Sequence, residues 1–133
     1  MNSLLGIPRR PDVIFRSNGN FDLTARVVRS LRILPGDVVD ILTDGTEYYL
    51  YVARHADAIP PPGCRYHAHV YPSKPRPRAH HFRGYSARLC RAVLAACGEP
   101  SVARLPCGQP ITDPRGRLLL PIIIRLKLNT TNP

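Results

Sequence analysis

Proline and glycine interrupt this chain so often that it has little room for long regular elements. Its 133 residues include 15 prolines and nine glycines, against three phenylalanines and no tryptophan. Proline removes a backbone donor and glycine has no side chain to pack, so both tend to end helices and strands. We therefore expect one mainly β domain over residues 1–133, and the 44% of hydrophobic residues are enough for one core.

The first half predicts two strands, a helix and a hairpin. Residues 12–23 alternate as two short strands around the Asn18-Gly19 turn. Thr24 is a typical N-cap, and after it apolar side chains and arginines occupy opposite faces of a short helix. Pro35-Gly36-Asp37 should end that helix, and the Asp44-Gly45 turn should join the two strands of the hairpin.

The second half predicts a similar order of elements. Residues 60–63, Pro-Pro-Pro-Gly, should form a stiff connector between the halves. The elements expected after it are a strand at 66–71, a helix capped by Ser86 and ended by Gly98, a strand at 102–105, a turn at 113–116, and a strand at 118–128 with an edge or bulge at Pro121.

The two halves also match each other directly. A shift of 62 positions lays residues 24–31, TARVVRSL, over residues 86–93, SARLCRAV. The helix caps and apolar positions coincide, and Arg26 and Arg29 fall on Arg88 and Arg91. The match predicts two pseudo-repeats, at about 12–59 and 64–128, joined by the connector at 60–63.

The first half resembles a known family. Residues 19–25, GNFDLTA, then 28–31, VRSL, and 33–41, ILPGDVVDI, are similar to the swapped-hairpin pattern of AbrB-type transcription factors. Thr24, Asn20 and Arg32 stand where the family usually has proline, arginine and glycine.

The resemblance implies a swapped-hairpin or double-psi-like β-barrel with two short helices. Two chains form it in the family, and the two pseudo-repeats of one chain would form it here. Family members mostly bind DNA, as transition-state regulators or as antitoxins of the MazE kind. The carry-over implies DNA contacts from Arg16 and Arg29, and the internal repeat adds Arg91.

The net positive charge lies entirely in the second half. Residues 1–63 hold seven arginines and seven acids, and residues 64–133 carry the whole formal charge of +10. The electric field of such a concentration of positive charge attracts polyanions, and guanidinium groups form well-matched hydrogen bonds with phosphate oxygens. We expect phosphate contacts from the arginines of this half, namely Arg76, Arg78, Arg83, Arg88 and Arg91. Two alternatives stay open, an acidic protein partner and a merely solvated arginine-rich surface.

The sequence contains no recognisable motif for catalysis or for metal binding. The chain has no Gly-Ser self-processing pair, no aspartic-protease loop, no nucleophile elbow and no phosphate-binding glycine loop. Four histidines and a cysteine offer donor atoms for zinc but lack the usual paired spacing: His67, His69, His80, His81 and Cys64. We expect no enzyme, no cofactor and no metal. The four cysteines lack a CxxC spacing and predict small buried or loop thiols.

Two further segments allow two interpretations each. Tyr48, Tyr49 and Tyr51 could stack on bases or fill the core. Residues 74–78, KPRPR, could lie in a minor groove or form a solvated linker. No signal peptide or apolar span is apparent, so we expect a cytoplasmic protein that does not contact membranes. It should be a monomeric pseudo-dimer or a further homodimer.

Overall fold

The computed structural model describes residues 11–53, 68–74 and 80–124. These residues form nine strands and two helices, in the order β1 (Val13–Arg16), β2 (Asn20–Leu23), α1 (Ala25–Leu31), β3 (Val38–Thr43), β4 (Tyr48–Ala53), β5 (Ala68–Pro72), β6 (Phe82–Tyr85), α2 (Ala87–Cys97), β7 (Val102–Leu105), β8 (Ile111–Thr112) and β9 (Leu118–Ile122). The prediction of a mainly β protein with two short helices is confirmed.

The strands form one antiparallel sheet in the order β7-β1-β2-β6-β5-β3-β4-β9-β8. The sheet curls, because the chain that leaves β7 also pairs with β9 through an isolated bridge between Cys107 and Ile122. Two backbone bonds flank that bridge: Gly108 N–H donates to the Pro121 carbonyl at 2.8 Å, and Ile123 N–H donates to the Pro106 carbonyl at 2.9 Å. The curled sheet surrounds a single hydrophobic core.

Equivalent strands of the two halves make equivalent pairings in the sheet. β1 pairs with β7 of the second half, and β5 pairs with β3 of the first half. β2 pairs with β6, and β4 pairs with β9. The 62-residue shift relates Asn20 to Phe82 and Leu23 to Tyr85. The pairs Asn20–Tyr85 and Leu23–Phe82 are therefore equivalent under the repeat, and both are present. Strands of each half therefore lie between strands of the other half.

The helix boundaries test the capping predictions. Ser86 caps α2 as predicted, since its hydroxyl accepts from Leu89 N–H at 3.2 Å, and Gly98 ends the helix at φ +70°. Thr24 stands at the N-cap of α1 but makes no side-chain cap bond, because its hydroxyl donates to the Asp12 carbonyl at 2.9 Å. The predicted N-cap position of Thr24 is therefore confirmed, without the side-chain bond that usually accompanies it.

The first helix also ends earlier than Pro35-Gly36-Asp37 predicted. α1 ends at Leu31, and Arg32 follows it in the left-handed conformation at φ +54°. Ile33 N–H then donates to the Val28 carbonyl at 3.0 Å, which turns the chain back and buries Ile33. The family glycine at position 32 would adopt this conformation without strain.

Two short strands were not predicted, namely β6 and β8. β6 has the sequence FRGY, in which Gly84 interrupts the apolar alternation. Gly84 is needed there because a Cβ would collide with the ring of Phe21 and a methyl group of Val70. β8 pairs only with Leu118 and Leu119. Pro121 pairs with Tyr49 of β4 on one side, and its carbonyl accepts from Gly108 N–H on the other, so it does not lie at a free edge of the sheet. The 60–63 connector and residues 125–128 lie outside the described residues.

Candidate nucleic-acid interface

One side of the curled sheet carries charged and aromatic side chains. In β7, β1, β2, β6 and β5, every second side chain enters the core, so the others point outward. We call the outward side chains of these five strands the polar face. One row crosses all five strands through Arg104, Ile14, Asp22, Arg83 and Tyr71.

Two arginines of the polar face share one carboxylate. Arg83 Nε donates to Oδ1 of Asp22 at 2.8 Å, and Arg16 Nη2 donates to Oδ2 at 2.8 Å. Partial burial raises the pKa of Asp22, but hydrogen bonds and charge from Arg83 and Arg16 outweigh it and hold that pKa below 3.8. The two guanidinium groups are therefore held in place. The carboxylate of Asp22 contributes one negative charge to this part of the polar face, and Arg16, Arg83 and the exposed Arg104 contribute three positive charges.

Two tyrosines stand on the same face with their rings in solvent. Tyr71 on β5 is 55% exposed and Tyr85 on β6 is 62% exposed. Large aromatic side chains usually bury most of their surface, so two adjacent exposed rings are an unusual feature. Tyr71 pairs directly with Arg83, and Tyr85 follows two residues further along β6.

The structure brings together only part of the predicted site. Arg16 and Arg83 meet at Asp22. Arg88 and Arg91 are exposed on α2, whose N-terminus adjoins the β1–β2 turn through a bond from Ser86 N–H to the Gly19 carbonyl at 2.8 Å. Arg29 is exposed on α1. Arg76 and Arg78, and most of the 74–78 segment, lie outside the described residues.

Arg26 has a structural role, although the 62-residue match pairs it with Arg88. Its Nη1 donates to Oδ2 of Asp12 at 2.9 Å, and its guanidinium also donates to the carbonyls of Cys107 and Gly108 at 3.2 and 3.3 Å. Cys107 N–H donates to the same Asp12 oxygen at 2.7 Å. Arg26 therefore ties α1 to the segment that joins the ends of the sheet.

Sequence reasoning missed three residues of the polar face: Arg104, Tyr71 and Tyr85. The alternation of Ala68 and Val70 could have placed Tyr71 outward, but Tyr85 lies on a strand that was not predicted. The tyrosines that were considered lie elsewhere. Tyr51 is only 1% exposed, which confirms its core interpretation, and Tyr48 and Tyr49 are half-buried.

Other candidate features are minor. No three His, Cys, Asp or Glu side chains converge on a possible metal position within residues 11–53, 68–74 and 80–124; Cys64 and His67 lie outside these ranges. Cys90, Cys97 and Cys107 are buried thiols, and burial raises the pKa of Cys97 to about 11. Neither described helix has the length and apolar character needed to cross a membrane.

An open cleft of about 470 Å³ lies beside the end of α1. Leu31, Leu34, Val52 and Leu118 supply apolar surface, and the lining also contains Arg32, Gly116 and Arg117. Leu34 is 60% exposed at this position. The cleft combines apolar and positive groups, and none of its lining residues belongs to the five strands of the polar face.

Comparison of the chain with protein-family models, curated proteins and solved structures finds no match. The AbrB resemblance therefore rests on the motifs at residues 19–25, 28–31 and 33–41.

Proposed function

We propose that this protein is a non-enzymatic module that binds nucleic acid through the polar face. The observation that supports this most is the grouping of Arg16, Arg83 and Arg104 with two exposed tyrosines on adjoining strands. Arginine side chains neutralise phosphates, and exposed aromatic rings offer flat surfaces to bases. The role that fits such a module is regulation of transcription or nucleoid-type binding of DNA.

The overall charge favours the same partner. The second half carries all of the +10 formal charge, and it contributes Arg83, Arg104 and the exposed Arg88 and Arg91 of α2. Long-range attraction would bring a polyanion toward this half. The hydrogen bonds that Arg16 and Arg83 donate to Asp22 would limit the entropy that these arginines lose on binding. Phosphate contacts would supply most of the affinity.

For the fold, we infer two fused swapped-hairpin units of the AbrB type. Support comes from the interleaved pairing, in which β1 and β5 each lie beside a strand of the other half. The pairing of β2 with β6 and of β4 with β9 is the arrangement expected around a pseudo-two-fold axis. In this interpretation one chain replaces the dimer that the family forms from two.

A salt titration tests the function. Fluorescence anisotropy with labelled oligonucleotides should show affinity that falls with salt by about −0.9 in log–log slope per contacted phosphate on a duplex, and about −0.7 on a single strand. Arg104→Ala should flatten that slope by the amount expected for the loss of about one phosphate contact. If α2 extends the interface, the double variant Arg88→Ala, Arg91→Ala should flatten the slope by the amount expected for the loss of about two phosphate contacts.

Arg115→Ala is the matched control, because Arg115 is an exposed arginine in the turn before β9, outside the polar face. It removes the same charge and should change the slope much less than Arg104→Ala. No affinity for any oligonucleotide at low salt would refute the proposal. Equal effects of Arg104→Ala and Arg115→Ala would refute the placement of the site.

A second candidate is a protein-interaction module, for example an antitoxin or an assembly factor of a mobile element. The cleft beside α1 favours it, because leucines and arginines line the same opening and suit an acidic, partly apolar partner segment. The titration separates the two functions. Docking in the cleft predicts no salt-dependent binding of oligonucleotides and a complex of defined protein stoichiometry.

A further inference from the structure

We propose that the polar face takes single-stranded nucleic acid, with unpaired bases stacked on Tyr71 and Tyr85. This inference rests on the proposed function and specifies its substrate. Base–aromatic stacking needs an uncovered base face, which a duplex keeps inside its own stack. Exposed rings therefore add affinity for a single strand and little for a duplex.

The ring of Tyr85 is seated on the backbone of the β1–β2 turn. Gly19 in that turn has φ +95°, and a Cβ there would lie 2.5 Å from Cε1 and 3.0 Å from Cζ of Tyr85. Only glycine leaves room for the ring at this point. The Gly19 carbonyl also accepts from Ser86 N–H, next to Tyr85, so the turn and the end of β6 are held together. The ring therefore contacts the turn, while Tyr85 as a whole remains 62% exposed.

Tyr71 also lies beside a glycine turn of the first half, although less tightly than Tyr85. Gly36 has φ +86°, and a Cβ there would be in ordinary van der Waals contact with Cε1 of Tyr71, at 3.7 Å. Gly36 N–H donates to the Val70 carbonyl at 2.7 Å, which fastens the turn to β5 beside the tyrosine. A ring that is held before binding loses less entropy when a base covers it.

The spacing of the two rings suits neighbouring nucleotides. Tyr71 faces Arg83 across β5 and β6, and Tyr85 is the diagonal neighbour. Diagonal neighbours of an antiparallel pair have Cα atoms about 7–8 Å apart. Arg83 is the cross-strand partner of Tyr71 and lies two residues before Tyr85 on β6, and both Arg83 and Arg16 donate to Asp22. Two stacked bases and the phosphates beside them would thus meet two rings and two cations.

The test compares a labelled deoxythymidine oligomer of about 20 nucleotides, longer than one small binding site, with a duplex of equal length. Anisotropy titrations are run at one low salt concentration. Tyr71→Ala and Tyr85→Ala should each weaken single-strand binding by roughly 5- to 100-fold. Duplex binding should weaken by less than about threefold, because stacking contributes little there. Thermal melting checks that the variants remain folded.

Two kinds of control keep the result specific. Tyr71→Phe and Tyr85→Phe retain the rings and should retain single-strand affinity. Ile111→Ala removes an exposed apolar side chain on β8, outside the polar face, and should change nothing. Duplex binding as tight as single-strand binding, or no loss in the Tyr71→Ala, Tyr85→Ala double variant, overturns the inference and leaves the proposed function standing. No binding of either probe at low salt overturns both.

Discussion

Two regions of the curled sheet, the polar face and the strands β4 and β9, differ in how much of their side chains is exposed to solvent. The polar face presents arginines and tyrosines to solvent from strands that alternate between buried and accessible residues. On β4 and β9 the alternation disappears, since Leu50, Tyr51 and Val52 are buried in succession, and so are Leu119 and Leu120. Tyr51 and Leu119, both buried, pair with each other across these strands.

The contrast separates side chains that stabilise the fold from side chains available to a partner. Tyr51 and Tyr85 are the same residue type, yet one is 1% and the other 62% exposed. Tyr51 lies 5.7 Å under the guanidinium of Arg117 and accepts a hydrogen bond from it at 3.4 Å. An aromatic ring that is already covered cannot stack on a base, so the polar face is the better candidate interface.

The largest expected effect comes from truncating the two tyrosines in parallel. Tyr51→Ala should lower the free energy of unfolding by about 3–5 kcal/mol, because it leaves a cavity and removes the contact with Arg117. Tyr85→Ala should change it by less than about 1 kcal/mol, as expected for an exposed side chain. Urea denaturation of both variants measures the difference. Similar losses would mean that the two sides of the sheet do not differ in this way.

A second pair of variants sharpens the comparison among arginines. Arg26→Ala should cost about 2–3 kcal/mol, less than a fully buried pair, because it leaves the nearly buried Asp12 carboxylate without this ion pair while Arg26 itself is partly exposed. Arg29→Ala, on the same helix and exposed, should cost less than about 0.5 kcal/mol. Urea midpoints give both values. An Arg26→Ala protein as stable as the wild type would show that the Asp12 network contributes little.

The smallest expected effect concerns the carboxylate shared by Arg16 and Arg83. Asp22→Asn removes one negative charge from the polar face and should raise nucleic-acid affinity by about two- to tenfold at low salt. The same anisotropy titration measures it, with Asp44→Asn in the exposed β3–β4 turn as the control. Unchanged affinity would place Asp22 and its arginines outside the interface.

The lowered pKa of Asp22 also gives this pair a pH dependence. Because the folded pKa lies below 3.8, its contribution to stability is present above that value and is lost as pH falls through the folded pKa. The wild type should therefore lose more stability than Asp22→Asn between neutral pH and pH values below 3.8. Urea midpoints over this range measure the difference, and parallel curves would contradict the shift.

Local patterns predicted much of the fold. Period-two alternation placed β1, β5 and β7, and turn residues placed the breaks at Gly19, Gly45 and Gly116, all of which adopt positive φ. The C-terminal end of α1 was predicted less well, because the chain folds back at Ile33, whose N–H donates to the Val28 carbonyl before the Pro35-Gly36-Asp37 turn. β6 was missed because the reason for Gly84 is the Phe21 ring on a neighbouring strand, which a local pattern does not reveal.

The sequence by itself determined the short strands, the two helices and the concentration of positive charge, because these depend on neighbouring residues and on composition. Only the tertiary structure decided which arginines are available. Asp22 binds Arg83 from 61 positions away, whereas Arg26 bonds to carbonyls 81 and 82 positions away. Likewise, the turn at Gly19 supports Tyr85 only once β2 and β6 have paired. Contacts across strands arise from folding, so they divide residues of one type into structural and exposed sets.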